Sequence, residues 1–405
     1  MEENLLWSST GLLPIPLLWD IVYDPIVDKK PRPGVEKIAY ADDLSQLGKA
    51  DNRVELAWNL NRDSNEIAED LKKMDLDLAP EKTEALLLHC KTKKDRQVCF
   101  KICDSIIKPA KELNHLGVWL DENLKMTAHM DKTCEKIKKA SWKMIPLMPL
   151  KGGPRSSRRK YYFNVLLSIL FYAISVWGHV FQKKTVREKI TKTLRPMKIR
   201  IAMAYRTIGN DALDVITGIA PVHLLVRERM EMQTTRKDRK ILKEELLDAW
   251  QSEWTESGKQ ENPKCRWTRR IIKDIKRWHD RSYGELNFQL TQLLSGHGGF
   301  RRYLYNIGKI SDDKCLLCGG LQDNAEHAYF TCNKIMEERA ALEVELGSIL
   351  NPDNLVDIML ENRENWKRVT TTCSAFLKNE GTSGRASSGR DISPGEPPVL
   401  VTGGV

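Results

Sequence analysis

The spacing of hydrophobic and polar positions changes once along the chain, and the first part predicts short strands together with a helix. Residues 38–47 combine β-prone apolar positions with a central Asp pair, whereas residues 53–71 space Leu, Trp and Ile at helical intervals. Short apolar runs at residues 85–88, 98–103 and 116–120 are separated by Lys-rich and Asn/Gly segments. The pattern therefore predicts an α+β beginning, in which a strand, a turn and a helix are followed by further short strands.

From about residue 127 onward, the helical period replaces the strand period. Residues 132–148 predict an amphipathic helix, and Gly152, Gly153 and Pro154 predict a break after it. The apolar run at residues 165–178 is shorter than a membrane span and favours a buried helix. We therefore expect no membrane association.

The second half of the chain predicts more helices and then a polar tail. Residues 185–205 predict a basic helix, and helical character continues through the charged segment 225–254. Residues 259–264 predict a linker, and residues 355–377 predict a last amphipathic helix. Beyond Glu380 the chain is rich in Gly, Ser and Pro and too poor in apolar side chains to offset the entropy of ordering, so we expect disorder there.

The size and charge of the chain indicate how many folded units it forms and which class of partner it binds. A chain of 405 residues is long enough for two or three folded units, and 41% hydrophobic with 30% charged residues is ordinary globular content. The formal net charge is +10, with basic runs at residues 91–94, 155–160 and 266–270. Polyanions are natural partners of such runs because neutralised phosphates release counterions. A merely soluble basic surface explains the charge equally well.

The cysteines indicate a reducing compartment. They are nine in number, which is odd, and they are scattered without an apparent signal peptide before them. We therefore expect reduced thiols and a nuclear or cytoplasmic location, with metal binding as the use of any tight cluster.

One such cluster has the spacing of a zinc site. Cys315-x2-Cys318-x8-His327-x4-Cys332 supplies three thiolates and one imidazole, which is the ligand number and softness of a closed tetrahedral Zn²⁺ site. Gly319 and Gly320 allow the chain to fold back after the first two ligands. The alternative is a set of reduced cysteines in a small core.

A group of cations and aromatic side chains precedes this cluster, as in binders of single strands or RNA loops. A purely structural zinc site is the other interpretation. The residues concerned are Arg301, Arg302, Tyr303, Tyr305, Lys309 and Lys314.

The second candidate site is the acidic pair in Tyr40-Ala41-Asp42-Asp43, which lies between apolar β-prone positions as if at the turn of a hairpin. Carboxylate oxygens are the ligands that Mg²⁺ prefers, and phosphoryl transfer uses such ions to activate the attacking hydroxyl and stabilise the leaving oxygen. The alternative is an ordinary solvated turn, where Asp is common.

In their order along the chain, these motifs resemble the reverse transcriptases of non-LTR retrotransposons, closest to the insect type that inserts into ribosomal DNA. Tyr40-Ala41-Asp42-Asp43 resembles the catalytic motif. The remaining matches are Leu76-x-Leu78-x-Pro80-Glu81-Lys82-Thr83-Glu84, the hairpin His115 to Asp121, the thumb pattern Tyr205-Arg206-Thr207 with Ala212 and Gly218 to Pro221, the segment Leu290 to Gly298 with Tyr303-Leu304, and the terminal cysteine cluster.

This resemblance implies roles for particular residues. Asp42 would bind both catalytic Mg²⁺ ions, with Asp43 beside it, and Lys82 would face the phosphates of the incoming nucleotide. Gly117 would form the turn of the primer grip, although a plain hairpin glycine explains it equally well. Tyr40 and Arg206 would contact the RNA template and the DNA primer or target.

The resemblance also divides the chain into expected domains. These are a partial palm at residues 1–125, a helical thumb at 126–235, a helical connector at 236–300, a zinc-binding module at 301–378 and a disordered tail at 379–405.

The beginning of the chain departs from the family pattern. A two-metal centre needs a carboxylate from an earlier strand as well, and no matching aspartate precedes Tyr40; Asp20, Asp24 and Asp28 favour helix or turn positions. The sequence therefore predicts a truncated and catalytically impaired RNA-directed DNA polymerase. The alternative is a non-catalytic nucleic-acid-binding remnant that retains a zinc module.

Overall fold

A computed structural model describes residues 15–88 and 98–382 of the chain. The chain divides into two compact units, Met1–Met130 and Asp131–Val405, here called the N-terminal unit and the helical unit. The fold is mixed and mostly helical with small sheets, which agrees with the expected α+β class at this coarse level.

Among its described residues, the N-terminal unit contains two long helices and three two-stranded antiparallel sheets, β1-β2, β3-β4 and β5-β6. A short 3-10 turn, Pro80–Lys82, follows the second helix. The elements in chain order are α1 (Ile15–Asp28), β1 (Val35–Tyr40), β2 (Asp43–Gly48), α2 (Arg53–Lys72), β3 (Phe100–Ile102), β4 (Ser105–Ile107), β5 (Glu112–His115) and β6 (Val118–Asp121).

Helix α2 is the centre of this unit because it presents apolar side chains to two small cores. Asn52 begins the helix by accepting a hydrogen bond from the backbone N–H of Glu55, as N-cap residues do. Ile67 and Leu71 pack against α1, and Leu78, which follows the helix, contacts both cores. The second core is formed by the short strands β3 and β4.

Most elements expected here from the sequence are confirmed, and one is wrong. Both the hairpin around the Asp pair and the helix after it are present. The strand expected at residues 85–88 is reduced to an isolated bridge between Leu86 and Ala110. Leu86 lies between the 3-10 turn Pro80–Lys82 and a turn at Leu88, which limits the pairing of the described residues.

The helical unit begins within α3 and contains fourteen α-helical segments among its described residues. They are α3 (Thr127–Met144), α4 (Ser156–Phe171), α5 (Ile174–Trp177), α6 (Lys184–Ala202), α7 (Asn210–Thr217), α8 (Val222–Thr234), α9 (Arg239–Gly258), α10 (Arg266–Ile271), α11 (Ile275–Asp280), α12 (Phe288–Ser295), α13 (Arg301–Asn306), α14 (Met336–Leu346), α15 (Leu355–Glu361) and α16 (Arg363–Thr382).

Two helices expected to be continuous are each broken, which corrects the prediction. The apolar run at residues 165–178 turns at Ala173, whose φ of 50° lies in the left-handed region and ends α4 before α5 starts. The last amphipathic segment is interrupted at Asn362, whose extended backbone separates α15 from α16. Hydrophobic content predicted both segments but carried no signal for the breaks.

The described residues end at Thr382, within the expected tail. Helix α16 continues to Thr382, beyond the expected start of the tail at residue 379. The disorder expected after this helix falls on residues 383–405, which lie outside the described residues.

One hydrophobic core runs through most of the helical unit. It includes side chains from Ala202 to Phe376, with Trp250, Trp278 and Phe300 buried between them. The expected domain boundaries at residues 235/236 and 300/301 both fall inside the part of the chain that builds this core. No single described helix is long and apolar enough to cross a bilayer, and one bent pair, Ser156–Phe171 with Ile174–Gln182, passes the length and composition test together.

Buried charges of the helical unit are matched by specific partners. Arg159 is fully buried, and its guanidinium donates to the carbonyl oxygens of Gly152, Pro154 and Arg200 at 2.6 to 2.7 Å. Lys198 and Asp214 form a buried ion pair with an Nζ to Oδ1 distance of 2.6 Å. Such groups are tolerated inside a core only because each charge is hydrogen-bonded.

Candidate metal and nucleic-acid sites

The acidic pair lies at the tip of the β1-β2 hairpin. Tyr40 pairs with Asp43 across the strands, so that Ala41 and Asp42 form a two-residue turn. Both carboxylates and the Tyr40 ring are exposed. Ala41 has a φ of 53°, which costs a non-glycine residue about 1–2 kcal/mol. The hairpin thus presents two adjacent carboxylates to solvent on a strained turn.

Contacts from both helices of the N-terminal unit hold this turn in place. The indole Nε1 of Trp19 on α1 donates to the carbonyl oxygen of Ala41 at 2.9 Å. Gln46 on β2 donates to the buried carboxylate of Asp63 on α2 at 2.7 Å and accepts from the Ser64 hydroxyl at 2.6 Å. The hairpin is therefore braced at its tip and along its second strand.

The acidic pair contributes to the raised pKa of one neighbouring phenol. Burial and, second, the negative charge of Asp42 raise the pKa of Tyr23 above its ordinary value. Tyr23 stacks against Trp19 with ring centroids 5.3 Å apart. Tyr23 therefore lies near Asp42 and packs against the indole that holds the turn.

Lys82 lies in the same unit but is not joined to the acidic pair by a hydrogen bond or ion pair of the described residues. It ends the 3-10 turn Pro80–Lys82, where its side chain is exposed and its backbone N–H donates to Ala79. The role implied for Lys82 stays a prediction.

The hairpin expected around Gly117 is confirmed as β5-β6. His115 pairs with Val118, and the two turn residues Leu116 and Gly117 have φ values of 47° and 82°, as a type I′ turn requires. Glycine suits the second position because it adopts positive φ without steric cost. Its use as a primer grip stays a prediction.

The four zinc-site candidates converge in the helical unit. One ligand atom from each of Cys315, Cys318, His327 and Cys332 lies within 4.8 Å of the others. The Cys318 Sγ to His327 Nε2 distance is 3.3 Å, and a tetrahedral zinc with ordinary bond lengths places sulfur and nitrogen about 3.6 Å apart. The donor set and its spacing therefore fit Zn²⁺ or a similar soft cation.

Local backbone geometry explains how a short segment brings these ligands together. Gly319 has a φ of 72° and turns the chain directly after Cys318. A Cβ on Gly320 would lie 3.0 Å from His327 Cε1 and 3.3 Å from Cys318 Sγ, so glycine gives these two ligands the most room to approach. The fold-back inferred from these two glycines is confirmed.

The imidazole is oriented by residues that sequence reasoning missed. The Thr331 hydroxyl lies 3.3 Å from His327 Nδ1, and the Asn324 side chain accepts from the His327 backbone N–H at 2.8 Å. A hydrogen bond at Nδ1 leaves Nε2 to face the sulfurs, which is how outer groups orient metal-binding histidines. No spacing pattern in the sequence indicated these two residues.

The thiols differ in how readily they ionise. Burial raises the pKa of Cys332 to about 12. Burial also acts to raise the pKa of Cys318, but the Gly320 N–H and the neighbouring thiols outweigh it, and this pKa is below its ordinary value. A bound divalent cation would favour thiolate at both positions.

Arg301 and Arg302, expected to bind nucleic acid, are held by carboxylates of their own unit. Arg301 donates to Asp312 and Arg302 to Asp313, each at 2.7 Å. These ion pairs fasten the segment before Cys315 to α13. The structure thus gives both arginines a structural partner, and their contact with nucleic acid stays a prediction.

Tyr303 and Arg206 lie near one another through Thr207. The Tyr303 hydroxyl is 2.5 Å from the Thr207 hydroxyl, which is also 3.0 Å from His297 Nδ1. The Arg206 side chain is exposed, and its carbonyl oxygen accepts from Arg195 at 2.7 Å. Arg206 is exposed, whereas Arg301, Arg302 and Tyr303 are each partly buried.

Comparison with known proteins confirms the resemblance to retrotransposon proteins, a reverse-transcriptase-related class. The particular relatives are insect proteins. "Retrovirus-related Pol polyprotein from type-1 retrotransposable element R1 2" of Nasonia vitripennis is 23% identical over 346 residues, which cover 78% of this chain and 83% of the relative. A second Nasonia vitripennis protein, from element R1, is 21% identical over 339 residues, covering 78% of this chain and 99% of the relative.

Longer relatives show the same similarity over part of their length. The "Putative 115 kDa protein in type-1 retrotransposable element R1DM" of Drosophila melanogaster is 21% identical over 347 residues, which cover 80% of this chain and 33% of that protein. No protein-family model and no solved structure matches the chain.

Proposed function

We propose that this chain is a nucleic-acid-binding protein of the reverse-transcriptase type, with the β1-β2 hairpin as a divalent-cation site of a polymerase palm. The observation that carries the proposal is the pair Asp42 and Asp43 on a braced, exposed hairpin tip. Similarity to the Pol polyproteins of R1 elements supports the same interpretation.

The chemistry of the tip suits Mg²⁺. Two adjacent carboxylates supply hard oxygen ligands, and such an ion, when bound, polarises phosphate oxygens and activates a hydroxyl. Trp19 and Gln46 hold the hairpin and so keep the two carboxylates in position. The RNA template and the DNA primer are the polyanions that this site and the basic surface would bind.

Polymerisation by the chain alone is expected to be impaired. A two-metal centre is held by carboxylates from more than one strand, and the hairpin brings two to a single tip. We therefore infer that the chain binds a template-primer duplex and positions a cation near it without efficient extension.

The Cys/His quartet is proposed to hold a structural Zn²⁺ beside the nucleic acid. Four ligands close the coordination sphere, which is typical of structural rather than catalytic zinc. Cys315 and Cys332 belong to the main core of the helical unit, so the ion would fasten this segment to that core.

A second candidate is a binding protein without a working cation site at the hairpin. It is favoured by the helical unit, which contains both the Cys/His quartet and the large core and does not include the hairpin. In that case the acidic tip is a solvated turn, and nucleic acid binding does not depend on Mg²⁺.

Binding and primer extension measured together test the proposal. We expect zinc-loaded protein to bind a labelled RNA template with a DNA primer, with an affinity that falls by about 10³-fold or more between 50 and 200 mM salt if six or more phosphates are contacted. Mg²⁺ should strengthen binding in the wild type but not in Asp42→Asn, and extension should be weak or undetectable.

Each alternative has its own outcome in this experiment. Binding that Mg²⁺ and Asp42→Asn leave unchanged supports the second candidate. Efficient extension abolished by Asp42→Asn contradicts impaired catalysis, and absence of binding to the duplex contradicts both functions. Asp104→Asn, at the exposed turn between β3 and β4, is the matched control and should behave as the wild type.

A further inference from the structure

A basic pocket lies in the helical unit where α9 ends and α10 begins. Its volume is about 350 Å³, and every charged residue that lines it is a cation. The lining includes Trp254, Arg266, Arg269, Arg270 and Lys273. Part of this set is the basic run at residues 266–270, which the motifs of the metal and hairpin sites do not include.

Arg269 forms a fixed wall of the pocket. Its side chain is only 10% exposed. The guanidinium donates to the carbonyl oxygens of Trp254 and Lys264 and to the Ser257 hydroxyl, and its Cζ lies 3.7 Å from the centroid of the Trp254 ring. These contacts fix the position of Arg269, so this side of the pocket has a defined shape.

Arg266 has its charge available to a ligand. Its guanidinium donates to the amide oxygen of Asn262 at 2.9 Å and, more weakly, to the Glu261 carbonyl oxygen at 3.5 Å. Both acceptors are neutral groups, so these contacts orient the side chain without cancelling its charge. An exposed, oriented arginine is suited to a phosphate, whose oxygens match the guanidinium fork.

Acidic groups approach the other cations from outside the pocket and leave an excess of positive charge. Asp353 is shared by Arg270 and Lys273, each at 3.0 Å. Glu326 contacts Arg270 at 2.9 Å, and Asp211 lies 3.6 Å from Arg269. The pocket therefore has four cations and three neighbouring carboxylates. The ion pairs of Arg270 and Lys273 are exposed, so they stabilise the fold weakly and a phosphate can replace their carboxylates.

The pocket is connected to the Cys/His quartet. Arg270 pairs with Glu326, which directly precedes the ligand His327. A strand whose phosphate lies in the pocket is therefore close to the segment that the metal would order, so the two features form one surface of the helical unit.

We propose that this basic pocket binds a backbone phosphate of a nucleic acid strand, with Arg266 and Lys273 contacting the phosphate oxygens and the Arg269-Trp254 wall shaping the site. The inference rests on the proposed nucleic-acid-binding function and gives it a location that is separate from the hairpin. Free inorganic phosphate is the other source of the same ligand chemistry.

Fluorescence anisotropy with a labelled single-stranded RNA and the full zinc-loaded chain tests the pocket. The double variant Arg266→Ala, Lys273→Ala should weaken binding by about 10-fold at moderate salt. It should also reduce the slope of log K against log salt by about 1.4, which corresponds to two lost contacts to a single strand. Thermal unfolding should be unchanged, because both side chains are exposed.

The matched control is Arg363→Ala, Lys367→Ala on α16, which removes one exposed arginine and one exposed lysine from the same unit. We expect its affinity to stay within about 2-fold of the wild type, as for charges that make no phosphate contact. An equal loss in both double variants overturns the pocket assignment, because net charge alone would then explain it.

Further outcomes separate failure of this inference from failure of the proposed function. Wild-type binding that the pocket variant leaves unchanged overturns the inference alone. A wild type that binds neither single strand nor template-primer duplex overturns both. Binding of inorganic phosphate that is lost in the pocket variant, without RNA binding, assigns the pocket to small anions and overturns the nucleic acid assignment.

Discussion

Removing the cation from the Cys315, Cys318, His327 and Cys332 quartet is expected to lower the thermal midpoint of the helical unit by about 10 °C. A ligand present at a thousand times its dissociation constant stabilises a protein by about 4 kcal/mol, and a unit of this size shifts by about 2–4 °C per kcal/mol. Differential scanning calorimetry before and after chelation measures the shift.

The large effect follows from how the quartet is connected. Cys315 and Cys332 are buried in the core that continues to Trp366 and Phe376. The segment between them adds Ala325, Ala328 and Tyr329 to the same core, and its first turn depends on the positive φ of Gly319. Metal binding should therefore order the segment and, through it, one side of the core.

Cys315→Ser should reproduce the chelation effect and reduce the zinc content from about one ion per chain. Cys103→Ser makes the same chemical change at an exposed thiol of the N-terminal unit and should alter neither quantity. Freshly purified, reduced wild-type protein with negligible zinc, or a thermal midpoint that chelation does not change, would contradict the metal assignment.

The second large effect is expected from Asp214→Ala, which should destabilise the helical unit by about 3–5 kcal/mol. The side chains of Lys198 and Asp214 are 7% and 10% exposed, so the substitution leaves a buried ammonium group without its carboxylate. Burial raises the pKa of Asp214 even beside Lys198, because the desolvated carboxylate is disfavoured there. Urea denaturation of the wild type and the variant measures the difference.

A double variant separates the ion pair from simple loss of packing. Lys198→Met with Asp214→Leu removes both charges and fills the same space with apolar atoms, so it should recover most of the lost stability. If the double variant is as unstable as Asp214→Ala, the cost arises from cavity or shape changes and the buried-charge explanation is wrong.

Local features of the fold and of both sites were predictable because short-range chemistry determines them. The hairpin at Asp42 and Asp43 and the turn at Gly117 follow from alternating apolar positions around turn residues. The Cys315 to Cys332 spacing predicted a ligand group that the structure brings together. In each case, residues close in the chain form the feature.

Features that depend on distant residues were not predictable. Nothing near Arg301 and Arg302 indicated that both would pair with a carboxylate eleven positions later. The continuous core of the helical unit and the Arg269-Trp254 wall likewise arise from tertiary packing. Periodicity reports which face of a helix is buried but not the partner it is buried against.

The most direct test of the central claim replaces Mg²⁺ with Fe²⁺ in a complex of the zinc-loaded chain with a template-primer duplex. With added hydrogen peroxide and ascorbate, the bound Fe²⁺ reduces peroxide to hydroxyl radicals, which cut the nucleic acid locally. We expect cuts within a few nucleotides of the primer 3′ end, lost in Asp42→Asn and retained in Asp104→Asn. Cuts spread evenly along the duplex, or unchanged in Asp42→Asn, would contradict a cation site at the hairpin tip.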